Sequence, residues 1–166
     1  MFIAAGHSNS DPGAYAYGRR EADIAVEFRN MVSFYLAQSN VKHEVDGKET
    51  ENMPLSVAAK RARLHKVSVE FHCNASSNVT ATGVEVLCAP KDNKRAAAIC
   101  EAISKALGIR NRGVKPENSG QHHRLAFIQS GGMIVELFFI TNRSDLIAYD
   151  ARKWVAAREV ARCLLD

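Results

Sequence analysis

The sequence predicts an α/β protein, a three-layer sandwich of helices around a largely parallel sheet. Two observations lead there. Short apolar runs alternate with longer segments of helical period along the chain, the pattern of strand–helix–strand units. The 166 residues, 46% hydrophobic and 24% charged, also suffice for one domain that buries its own core without disulfide staples. No repeat, low-complexity stretch or linker divides residues 1–166, so a single domain is expected.

Residues 1–5 read as a first strand. Residues 6–20 hold three glycines, a proline and short polar residues, and read as a long loop. A helix is predicted over 21–39, because Ile24, Ala25, Phe28, Met31, Val32, Tyr35 and Leu36 recur at spacings of three and four. Residues 41–45 form a second strand and 55–66 a short helix. Over 67–73, Val67, Val69, Phe71 and Cys73 alternate with Ser68, Glu70 and His72, so the two sets face opposite sides of a strand. A polar loop at 74–82 leads into a strand at 83–89. Residues 93–107 are helical, with Ala96, Ile99, Cys100, Ile103 and Leu107 on one face. A basic loop rich in Gly, Pro and Asn spans 108–122. Strands follow at 124–129 and 133–139, joined through Ser130-Gly131-Gly132, and the remainder is helical, carrying Trp154, Ala157, Ala161 and Leu164.

The formal charge is +4, from 22 Lys and Arg against 18 Asp and Glu, which favours contact with an anionic surface. The basic residues are scattered among acids, and no nucleic-acid-binding motif occurs, so nucleic acid is not an expected partner. No apolar run approaches the ~20 residues of a membrane span. The N-terminus has no basic region ahead of an apolar core, so no secretory leader is expected. Cys73, Cys88, Cys100 and Cys163 form no CxxC pair and read as free, mostly buried thiols. Cys73, beside His72, is read as a small core residue, with a ligand or nucleophile as the alternative.

Open α/β sheets carry their sites at the carboxyl ends of strands. His7 follows the first strand, His72 ends the third, and Glu136 lies within the apolar run MIVELFF. Glu21 precedes Ile24, Ala25 and Phe28 on the inward face of its helix, in the first turn, where the helix dipole favours an anion. Two histidines and a carboxylate make a His₂Glu set of the kind that holds zinc with a fourth position open to water. A second carboxylate nearby can take that water's proton and deliver it to a leaving amine. Singly, three of these residues have ordinary alternatives: a turn histidine for His7, a helix-start carboxylate for Glu21, a satisfied core histidine for His72. Glu136 differs, because a carboxylate among apolar neighbours is costly to bury unless paired or functional. His43, His65, His122 and His123 read as surface residues; the adjacent pair would point to opposite faces of a strand.

Several segments carry a wider resemblance: GHSNSDPGA at 6–14, Glu21 with Ala22-Asp23-Ile24, PLSVAAKRAR at 54–63, FHCNAS at 71–76 followed by Gly83-Val84-Glu85-Val86, RGVK at 112–115, and IVELFFITNRSD at 134–145. Together they resemble the zinc-dependent N-acetylmuramoyl-L-alanine amidases of the amidase-3 family, nearly end to end. The resemblance implies one Zn²⁺ on His7, Glu21 and His72, with Glu136 as the catalytic glutamate. It implies hydrolysis of the amide between the lactyl group of N-acetylmuramic acid and L-alanine in peptidoglycan. It also implies a twisted, mostly parallel six-stranded sheet with helices on both faces, a phosphorylase/hydrolase-like fold. Asn74, Arg112 and Lys115 are candidate substrate contacts; the two basic residues would meet carboxylates of the stem peptide, or else belong to a solvated loop.

The chain departs from the family pattern at three places. Ala4-Ala5 replaces Asp-Pro, so a partner for His7 is missing or comes from elsewhere. Glu70 replaces a serine and is expected to be a solvated surface residue, with a hydrogen-bond acceptor for His72 as the alternative. Phe138 replaces a glycine. The segment between Lys115 and Leu125 is short where regulated periplasmic relatives carry an occluding insert. A phage endolysin is therefore expected: a monomeric catalytic domain over 1–166 without a separate cell-wall-binding domain, accumulating in the host cytoplasm and reaching the wall after a membrane lesion. A sporulation or autolytic amidase is an alternative origin. Another zinc exopeptidase or amidohydrolase of similar fold, and a non-catalytic peptidoglycan-binding relative, are the alternative functions.

Overall fold

The chain opens with a strand buried along its whole length, β1 (Phe2–Ala5), and closes with a 23-residue helix, α5 (Arg143–Leu165). The computed structural model describes residues 1–8, 10–119 and 124–166. Between these ends lie β2 (Tyr15–Ala16), β3 (Arg19–Arg20), α1 (Glu21–Gln38), β4 (Glu44–Val45), α2 (Leu55–Ala62), β5 (Ser68–Asn74), β6 (Val84–Leu87), α3 (Asn93–Leu107), β7 (Asn111–Lys115), α4 (Ala126–Gln129) and β8 (Met133–Phe139). The six-stranded sheet has the order β4-β1-β5-β8-β6-β7. Every pairing is parallel except that of β6 with β8. The mostly parallel sheet with flanking helices is the predicted architecture.

Strand alternation divides the core. Ile3, Val69, Phe71, Cys73, Val84, Val86, Met133 and Val135 point to one face, where α1, α3 and α5 bury them in the main cluster. Phe2, Ala4, Leu87 and Ile134 point to the other, where the short helices α2 and α4 pack against them. The main face is closed by three long helices. On the second face the roof stops short of the upper ends of β5 and β8, and that uncovered part of the sheet holds the cleft described below.

A register shift adds a residue to β8: His72 pairs with Glu136, but Asn74 pairs with Phe139. The bulge sends both Leu137 and Phe138 into the helix-side core, where Phe138 stacks on Tyr149 at 4.8 Å. Phe139 is returned to the cleft side. The Phe138 departure from the family pattern therefore sits on the helix side, away from the cleft.

Three expectations are corrected. The 6–20 segment is not an unbroken loop; β2 and β3 pair antiparallel across Tyr17 and Gly18, both at positive φ as a primed two-residue turn requires. The 124–129 segment forms α4 rather than a strand. Its apolar run suits either state, and as a helix it folds back so that Phe127 and Ile128 are buried with Leu87 and Ile134. The sixth strand is instead β7, within the basic 108–122 segment. An edge strand with one neighbour needs little apolar patterning, so composition concealed it. His122 and His123 lie outside the described residues.

Among the described residues one ion pair is fully buried. Arg29 on α1 donates to Asp46 at 2.7 Å, and both side chains are at 0% exposure. The same guanidinium donates to the carbonyls of Glu49 and Glu51, while Asp46 accepts the Ala5 amide at 3.0 Å. The pair thus ties the 46–52 loop to the end of β1. Asp46→Ala would leave a buried, uncompensated guanidinium, and we expect a loss of about 3–5 kcal/mol in unfolding free energy by denaturant titration. A loss below about 1 kcal/mol would mean that water reaches Arg29.

Candidate functional site

The cleft on the uncovered sheet face has a volume of about 670 Å³. His7, Glu21, His72 and Glu136 all line it, although they are far apart in sequence. His7 sits just past β1 at φ 62, a left-handed conformation that costs a residue with a side chain. The Asn52 side-chain amide holds it there, donating to the carbonyls of Ala5 and His7. Gly6 is needed beside it, because a Cβ there would lie 2.1 Å from the His72 ring.

Glu21 is the junction of the cluster. It opens α1 and is 4% exposed. Its Oε1 lies 3.0 Å from His7 Nε2 and 3.0 Å from His72 Nδ1, and accepts the Cys73 amide at 3.0 Å. Its Oε2 accepts the Ala14 amide. Burial would raise this carboxyl, but the bonds from the two histidines outweigh it and hold Glu21 far below the usual carboxylate range. Glu21 in turn raises His7. Burial would lower His72, yet Glu21 and Glu70 outweigh it and hold His72 well above its ordinary value. Ligand atoms of His7, Glu21 and His72 all lie within 4.8 Å of one another. Two imidazole nitrogens and a carboxylate oxygen that close suit one small divalent cation with bonds of about 2 Å.

The outer nitrogens of both histidines are occupied. His7 Nδ1 lies 3.2 Å from Asp11 Oδ2, which supplies the partner that Ala4-Ala5 cannot. His72 Nε2 lies 3.1 Å from Glu70 Oε2. Glu70 is 3% exposed, so the expectation of a solvated residue is corrected. It lies in register with Ala4 and Ile134 on the floor of the cleft, with its carboxylate against the His72 ring. Such carboxylates fix which nitrogen of a ligating imidazole faces the metal.

Glu136 lies directly across from His72 on β5 and from Glu85 on β6. Its Oε2 is buried and has no hydrogen-bond partner among the described residues. Burial pushes its carboxyl up to about 7; His72 opposes this, and Glu21 and Glu85 reinforce it. A carboxyl poised there can hold or release a proton near neutral pH.

Asn74 and Arg112 also line the cleft, and each donates to Glu85, Asn74 at 2.8 Å and Arg112 at 2.7 Å. Lys115 pairs with Leu87 farther down the sheet and does not contribute to the lining. Sequence reasoning missed Glu85, Asp11 and Asn52. Glu85 carried the same signal as Glu136, a carboxylate between apolar residues of a strand; Asn52 carried none. His43 and His65 are half-buried, bonded to Ser33 and Glu44. All four cysteines are free, and Cys73 points into the helix-side core with its thiol pushed up by burial.

The donor set makes metal uptake pH-dependent. Both histidines must lose protons that Glu21 helps them keep, so affinity for a divalent cation should rise with pH through the raised histidine range and fall below it. Competition titrations between about pH 5 and 8 should show tighter binding at the upper end. A pH-independent affinity would exclude these histidines as ligands.

Comparison with known proteins places the chain in a family. The model of the N-acetylmuramoyl-L-alanine amidase family Amidase_3 matches residues 1–165. A Neisseria meningitidis crystal structure, of a protein assigned as an N-acetylmuramoyl-L-alanine amidase, shares 41% identity. It superposes with a TM-score of 0.88 over 98% of this chain and 92% of its own. Two Bacillus subtilis proteins are also similar. The uncharacterized protein YqiI is 28% identical over 87% of this chain and 72% of its own length. The N-acetylmuramoyl-L-alanine amidase LytC is 24% identical over 87% of this chain but only 30% of its own. The chain therefore belongs to the N-acetylmuramoyl-L-alanine amidase family and is an enzyme of that class.

Proposed function

We propose that the protein is a zinc-dependent hydrolase that cleaves the amide between the lactyl group of N-acetylmuramic acid and L-alanine in peptidoglycan. The observation that carries this reading is the pairing, in one cleft, of a His7–Glu21–His72 cluster with Glu136, whose Oε2 is buried and has no hydrogen-bond partner among the described residues. Zinc held by His7, Glu21 and His72 would supply Lewis acidity, making water acidic near neutral pH and drawing charge from a carbonyl oxygen.

The remaining steps belong to the protein. Glu70 and Asp11 hold the outer nitrogens of the histidines, so that His72 offers Nδ1 and His7 offers Nε2 to the cleft. Glu136 takes the proton of the attacking water and passes it to the nitrogen of the departing L-alanine. Its apolar flanks keep its carboxyl basic enough for the first transfer and acidic enough for the second. Met53, Leu55, Leu125 and Phe127 give the cleft an apolar side. Asn74 and Arg112, which line the cleft, are the substrate contacts of this reading.

We assign the activity to lysis of a host cell by a bacteriophage, with the enzyme reaching the wall from the host cytoplasm once the membrane is breached. The short connection from Lys115 to Leu125 supports this, because it leaves little chain to cover the cleft. Expression inside a bacterium should leave cells intact until a membrane-permeabilising agent is added, then clear them. Permeabilised cells that stay turbid would remove the lytic role.

The reaction is tested on purified peptidoglycan, with and without chelator, by mass spectrometry of the soluble products. Stem peptides beginning at L-alanine should appear, vanish on chelation and return with zinc. Muropeptides still joined to sugar would instead favour another bond. Glu136→Gln should bind zinc as the parent does, yet lose about 10²-fold or more in kcat. Near-parental turnover in that variant would remove Glu136 from the mechanism.

A further inference from the structure

We propose that Arg112 reads a carboxylate on the peptide side of the scissile amide, so that the enzyme selects stem peptides carrying a free acid just beyond L-alanine over those carrying the amide. This rests on the amidase reading and specifies its substrate.

The backbone aims Arg112 deliberately. Val84 pairs with Asn111, but Glu85 pairs with Gly113, so Arg112 is the extra residue of a bulge in β7. Gly113 takes φ 77 to make that bulge. In an unbroken strand Arg112 would share a face with Val114, which packs on the helix-side core. The bulge places it beside Glu85 on the cleft side instead.

The guanidinium is then braced. Its Nε donates to Glu85 Oε2 at 2.7 Å, and its central carbon lies 4.8 Å from the centroid of the Phe139 ring. Glu85 is itself fixed through Oε1 by the Asn74 amide. These contacts use one edge and one flat face. The two terminal nitrogens have no hydrogen-bond partner among the described residues, and Arg112 lines the same cleft as Glu136. A rigid fork with two free donors matches a carboxylate in two parallel hydrogen bonds, which a neutral amide with one oxygen cannot reproduce. Glu136 lies across from Glu85, so an anion held by Arg112 would sit close to the reacting amide without touching the histidine cluster.

The test uses peptidoglycan amidated in part at the second stem residue, so that acid and amide stems compete in one reaction. Early products of the zinc-loaded enzyme should be enriched in the free acid by about tenfold or more over the starting material. Arg112→Gln should release the two forms in their starting proportion. Arg112→Lys, which keeps the charge but loses the fork, should fall between them. A residue that merely neutralised Glu85 would change the rate for both forms alike and leave their ratio untouched. Wild-type products in the starting proportion, or a ratio that survives Arg112→Gln, would overturn the assignment while leaving the amidase intact. Absence of any released stem peptide would instead defeat the amidase reading on which it stands.

Discussion

Two oxygens of one carboxylate organise the functional half of this molecule. Glu21 accepts backbone amides from Cys73 on β5 and Ala14 in the preceding loop while contacting both His7 and His72. Its burial is tolerable only because those partners meet the charge. The first strand, the first helix and the third strand of the parallel set therefore converge on a single point. Anything that displaced the start of α1 would scatter both histidines.

The supports around that point are particular to this chain. Asp46, fixed by Arg29, takes the amide of Ala5, and Asn52 takes the carbonyls on either side of Gly6. A loop well removed in sequence thus sets the backbone of His7 in its left-handed conformation. Asp11 and Glu70 set the two imidazole rings. The substitutions at Ala4-Ala5 and Glu70 that looked like losses in the motif read, in three dimensions, as a redistribution of the same duties.

The chemistry of the cleft follows from how the sheet is covered. Long helices seal one face, whereas α2 and α4 roof only the lower part of the other. The upper part exposes a row across three strands, His72, Glu136 and Glu85, whose neighbours below are Glu70, Ile134 and Leu87. A carboxylate in that row with apolar flanks has its protonated form favoured by burial, while Glu85 beside it is neutralised by Arg112. Two glutamates on adjacent strands are thereby given different roles by their partners.

Elements with strong periodicity, and residues whose placement follows from strand or helix phase, were legible in the chain before it folded. The α1 and α3 stripes, the alternation in β5 and the isolated carboxylate in MIVELFF are local patterns, and local patterns survive translation into structure because side-chain direction depends only on backbone period. Resemblance to a family then grouped His7, Glu21, His72 and Glu136, which spacing alone did not. Tertiary structure decided everything that depends on a neighbour distant in the chain. It made 126–129 a helix and 111–115 a strand, because a short apolar run and a basic edge segment are each compatible with more than one state until packing selects. It buried Glu70, which a strand face alone leaves undecided, because what lies over that face comes from elsewhere in the chain. And it brought Glu85 and Asn52 into the site, since hydrogen bonding across 27 or 45 residues of separation leaves no periodic trace in either partner.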